Sequence, residues 1–140
     1  PVLTPISAGA LIGPRLQAST VGLGIGGVDD GKGYELIGRA ALGPDVQIGM
    51  GGPRGSYAFV NEDYLHFGVA LAATFGGGKY RDKKTPVLAA LEPGIFLRVL
   101  TRKVGAFELA AAWYQPVWMP EGSIRGGMLG TLAWHPMFGA

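Results

Sequence analysis

The chain has no cysteine, only two histidines and few charges; Asp, Glu, Lys and Arg make up 16% of its 140 residues. An ordinary soluble domain carries roughly 25%. Without cysteine there is neither a disulfide scaffold nor a thiolate metal centre. A net charge of +2 is too small to indicate nucleic acid as a partner. Nowhere do apolar residues run for the roughly 18 positions that a membrane-crossing helix needs. The length fits a single domain, residues 1–140, whose surface is large relative to its core. So few charges on so much surface point to a chain bathed in lipid or buried in an assembly.

What the chain has in quantity is punctuation: 25 glycines and 10 prolines, which leave little room for helices. Even "FELAAAWY", rich in helix formers, alternates with period two and ends just before Gln115-Pro116. The reading is all-β, with strands over 16–28, 34–42, 45–52, 55–61, 64–76, 87–100, 104–115 and 126–138. That makes an antiparallel up-and-down β-barrel of about eight strands. Residues 1–13 are left as an N-terminal arm or extra strand. Gly13-Pro14-Arg15, Gly43-Pro44-Asp45, Asn61-Glu62-Asp63 and Thr101-Arg102-Lys103 read as tight turns. Residues 76–86 and 115–123 read as longer loops. Alternate connections of a meander share an end, so the tight turns are expected together at one end, as in bacterial outer-membrane barrels.

The alternation sorts side chains into two sets. Val21, Leu23, Ile25, Leu36, Leu42, Val46, Ile48, Met50, Leu65, Phe67, Val69, Leu71, Leu91, Ile95, Leu109 and Leu132 fall on one face. The opposite face is Gly and Ala with a few charges. Glycine weakens strands, and a soluble sheet covers its wet face with Lys, Glu and Thr. Small residues do suit the narrow bore of an eight-stranded barrel. The large apolar face is therefore expected to look outward, toward lipid. Glu35, Arg39, His66, Glu92, Arg98 and Glu108 are expected inside as a polar network, where an unpaired charge would cost several kcal/mol. Arg98 is expected near Glu108, with 98 opposite 106 and 108 on the diagonal. The other charges, Arg54 among them, fall in connections or at strand ends. Aromatics such as Tyr34, Tyr57, Tyr64, Phe75, Trp113, Trp118 and Trp134 also cluster near strand ends, as interfacial girdles do.

The period-two segments from Val21 onward and the closing "GMLGTLAWHPMF" resemble small eight-stranded outer-membrane barrels of the OmpA/OmpX type. The resemblance implies a bacterial outer-membrane location, the bilayer or lipopolysaccharide as partner, and a structural, adhesive or surface-interaction role. Lys79, Arg81, Lys83 and Lys84 in one loop, and Trp118 and Met119 in the other, are the expected interaction surface, since loops on a rigid scaffold are free to bind. A soluble β-rich subunit of a large assembly, such as a virion decoration or tail protein, would explain the low charge through contacts with other subunits instead.

No motif specifies catalysis, a metal or a cofactor. "GLGIGG" has the dinucleotide spacing, but "VDDGKGYEL" follows it with no helical period to hold a pyrophosphate. Asp29-Asp30-Gly31 lacks the alternating oxygens of a calcium loop. His66 and His135 have no serine at a telling spacing. Glu92 and Glu108 are better matched to structural pairing with Arg39 and Arg98 than to acid–base work.

Overall fold

The computed structural model describes residues 2–14, 16–80, 83–101, 103–118 and 126–138, with the side chains of 16, 80 and 83–87 outside that description. Among the described residues nine strands form: β1 Val2–Leu3, β2 Ile6–Gly13, β3 Leu16–Asp29, β4 Lys32–Leu42, β5 Val46–Asn61, β6 Leu65–Tyr80, β7 Lys83–Thr101, β8 Gly105–Trp118 and β9 Gly127–His135. Strands β2 to β9 pair antiparallel with their sequence neighbours, and β9 pairs with β2 to close the ring. The fold is an eight-stranded antiparallel barrel. The short β1 is an extra strand paired to β3 ahead of β2, in one register with it.

The register sets the barrel's dimensions. From Gly38, partners run one way through Leu23, Ile6, Trp134, Phe107 and Val99 to Leu65 on β6. The other way they run through Gly51 to Phe75, also on β6. The ring thus closes with a stagger of ten residues, the step from Leu65 to Phe75. Ten rises of about 3.3 Å over eight strand spacings of about 4.8 Å give a tilt of about 40° and a radius of roughly 8 Å. Such a bore holds side chains and little else.

The eight strands of the ring are not the eight read from sequence. Segments 45–52 and 55–61 are one strand, β5, and the ring member that replaces the lost one is Ile6–Gly13, from the segment left as an arm or extra strand. Pro53 suggests a break in β5, but it costs the ladder on one side only. Pairing to β4 is continuous through Leu36–Pro53, while pairing to β6 skips from Gly51–Phe75 to Arg54–Ala72.

Turn placement changes accordingly. At the rim where β2 starts and β9 ends, here the proximal rim, lie the turns at Asp30-Gly31, Glu62-Asp63-Tyr64 and after Thr101. Asp30 and Gly31 both have positive φ, 50° and 76°, the two-residue turn whose twist matches a hairpin. The turns after Gly13 and Leu42 lie at the opposite, distal rim. The four tight turns are therefore shared between the ends. Residues 76–86 are not a loop: Gly78–Thr85, Lys79–Lys84 and Tyr80–Lys83 continue the β6–β7 ladder. Arg81 and Asp82 lie outside the described residues. Strand β8 likewise runs on to Trp118, opposite Ala89, and Met119 lies outside the described residues.

Candidate functional site: the filled bore and the outer belt

Alternation along each strand places one set of side chains inside the ring. Near the distal rim these are apolar: Leu11, Ala18, Ala41, Val46, Ile48, Met50, Leu88, Ala90, Tyr114 and Leu129 pack as one cluster across the bore. This corrects the facing of β5. Val46, Ile48 and Met50 point inward, and Gln47 and Gly49 outward, because the strand runs unbroken to Arg54 and Ala58 on the inner face.

Toward the middle and the proximal rim the interior turns polar. Arg39 Nη1 donates to Glu92 Oε1 at 2.7 Å, and Thr74 Oγ1 donates to Glu92 Oε2 at 2.8 Å. Arg54 bridges two acids, with Nη1 2.8 Å from Glu35 and Nη2 3.1 Å from Glu108. Arg98 donates through Nε and Nη2 to Glu108 Oε1 at 3.0 and 2.8 Å, and its Nη1 stands 3.4 Å from His66 Nδ1. Phe96 lies beneath both cations, its centroid 4.8 Å from Arg98 Cζ and 5.8 Å from that of Arg54. Three arginines thus meet three glutamates, and no carboxylate of the network lacks a cation.

All six residues assigned to an interior network from sequence line the bore, with Glu35, His66, Glu92, Arg98 and Glu108 buried. Glu92 and Glu108 do not meet; each is held by its own arginine. Arg98 stands directly opposite Glu108, not diagonal to it. The hairpin turn spans three residues between paired Thr101 and Gly105, and Gly105 has φ 93°. Sequence reasoning missed Arg54, the residue that links Glu35 to the Glu108–Arg98 pair. Its period with Ile48 and Met50 was the available signal, hidden by ending one strand at 52 and starting the next at 55.

His135 is fully buried, and Nε2 lies 3.4 Å from Glu108 Oε1 without hydrogen-bond alignment. His66 packs edge-on against Phe138, 6.1 Å between centroids, which brings the C-terminal turn over the proximal opening. A cavity of about 60 Å³ remains beside Ser7, Arg39, Arg54, Glu92, Glu108 and Thr131, room for a few ordered waters. Among the described residues no group of three or more His, Asp or Glu is placed to hold a metal ion.

The outer face is the reverse of the bore. Val21, Leu23, Ile25, Leu36, Val69, Leu71, Ile95, Leu109 and Leu132 are all exposed, Leu23 at 67%. Among the described residues, the outward positions of the strands carry no charge between Asp29 and Lys32 at the proximal rim and Lys79 beyond the distal one. Tyr34, Tyr57, Phe59, Tyr64, Phe107 and Trp134 ring the proximal side, with Phe75, Trp113 and Trp118 toward the distal side. From Leu65 to Phe75 the belt rises roughly 25 Å, the height of a barrel's lipid-facing band.

No protein-family model, curated protein or solved structure matches the chain.

Proposed function

We propose that this chain is a small outer-membrane β-barrel with a structural, adhesive or surface-interaction role and no catalytic one. The observation that carries the reading is the inversion of polarity: a belt of exposed Leu, Ile, Val and aromatic residues surrounds a bore that holds the buried charges. In water that belt would be an apolar patch far beyond the few hundred Å² usual on a soluble monomer. In a bilayer it is the ordinary exterior of a barrel, with aromatics at both edges. Closure of the ring supports the same reading, since it leaves no unpaired edge for lipid to meet. A non-catalytic role is supported by the network, where every carboxylate is already held by an arginine.

Spin labels at positions 67 and 69, on the outer face of β6, test the location. In lipid they are accessible to oxygen and shielded from aqueous relaxants, while a label at position 72 inside the bore is shielded from oxygen. Accessibility to aqueous relaxants at 67 and 69, in a chain that stays soluble without detergent, would overturn the membrane reading and favour a subunit of a large soluble assembly.

A further inference from the structure

The β6–β7 hairpin continues as a ladder past the end of the apolar belt. Its described backbone ends with Lys79 opposite Lys84 and Tyr80 opposite Lys83. Among the described residues Lys79 is exposed and has no carboxylate partner. Lys79 also stands four residues beyond Phe75, about 10 Å further out on a strand with this tilt. That is the depth at which lipid headgroups flank a hydrocarbon core.

The two rims differ in sign. Among the described residues the distal one has Lys79, Lys83 and Lys84 against Asp45. The proximal one has Asp29, Asp30, Glu62 and Asp63 against Lys32 and Lys103. We propose that the tip of the β6–β7 hairpin, Lys79 with Lys83 and Lys84, binds the phosphate headgroups of an anionic lipid leaflet. Headgroup phosphates would neutralise the positive charge gathered on this rim and fix it at the anionic face. This inference rests on the membrane reading above.

The test compares nanodiscs of phosphatidylcholine with nanodiscs containing phosphatidylglycerol as well. The intact chain folds in both, and its thermal midpoint rises by roughly 5 °C or more with the anionic lipid. K79Q/K83Q/K84Q folds equally well in phosphatidylcholine and loses most of that rise, whereas K32Q/K103Q at the proximal rim keeps it. A rise retained by the hairpin variant, or lost equally by the proximal one, overturns the proposal. Should the hairpin variant not fold, the unaltered chain still decides: a rise that survives high salt is not headgroup electrostatics, and that too overturns it. Failure of the unaltered chain to fold in either disc would instead overturn the membrane reading itself.

Discussion

Arg98 and Glu108 face each other across the β7–β8 hairpin, fully inside the barrel, joined by two hydrogen bonds from one guanidinium to one carboxylate oxygen. Arg98 is 0% exposed, so neither member can turn to water when the other is removed. Arg98→Ala leaves three interior glutamates against two arginines and is expected to cost about 3–5 kcal/mol. Arg98→Ala with Glu108→Ala restores the balance, since Arg54 keeps Glu35 and Arg39 keeps Glu92. Part of the loss therefore returns in the double variant. Denaturant midpoints of the four chains in micelles give the coupling, and losses that simply add would show that the pair contributes nothing.

The interior cations are unequal by position. Arg54 contacts two glutamates, whereas Arg39 contacts one that Thr74 also holds. Arg54→Ala is accordingly expected to destabilise by more than Arg39→Ala, by on the order of 1–2 kcal/mol. Parallel unfolding curves check the ranking, and a larger loss for Arg39→Ala would mean that the bridging geometry of Arg54 is not what holds the network.

Periodicity made most of this barrel legible. On β6 to β9 exposure alternates from one residue to the next, with Leu71 exposed beside buried Ala72 and Leu109 exposed beside buried Glu108. Glu35, Arg39, Glu92, Arg98 and Glu108 were legible because a charge in phase with Gly and Ala has only the bore to occupy. Strand β5 was not legible, for two local reasons. Pro53 mimics a turn, although a barrel strand tolerates proline where one ladder bond is lost. Val46, Ile48 and Met50 mimic lipid-facing residues, although they fill the distal bore beside Leu11, Leu88 and Tyr114. Nothing local distinguishes an apolar residue that seals a bore from one that meets lipid. Only continuity with Arg54 fixes its side, and a break between 52 and 55 removed that continuity.

Two glycines give opposite expectations for the same substitution. Gly105 closes the β7–β8 turn at φ 93°, and an added Cβ would run into the His135 carbonyl oxygen. Gly105→Ala is expected to destabilise by about 1–3 kcal/mol through backbone strain and that clash. An added Cβ at Gly38 on the outer face of β4 meets nothing within 4 Å. Gly38→Ala is therefore expected to be neutral or to stabilise by a few tenths of a kcal/mol, since alanine has less unfolded freedom to lose. Equal effects from both, measured as thermal midpoints in the same detergent, would contradict the turn geometry.

The facing of β5 decides what seals the distal end. Ile48 is 3% exposed inside the barrel, while its neighbour Gly49 points outward, where an added Cβ meets nothing within 4 Å. A cysteine at 49 should react with a small lipid-soluble maleimide in the folded barrel, and a cysteine at 48 should not until the chain is denatured. Ile48→Asn places an amide among Leu11, Val46, Leu88 and Tyr114, where most neighbours offer no hydrogen bond. The expected cost is on the order of 2–4 kcal/mol, from lost apolar burial together with an unsatisfied polar group. Gly49→Asn, one residue away on the outer face near the rim, should cost well under half of that. The reverse order, with 48 labelled and 49 protected, would turn the strand over. Val46 and Met50 would then meet lipid, and the distal bore would be left with Gln47 and Gly49 on that strand, too little apolar volume to close it.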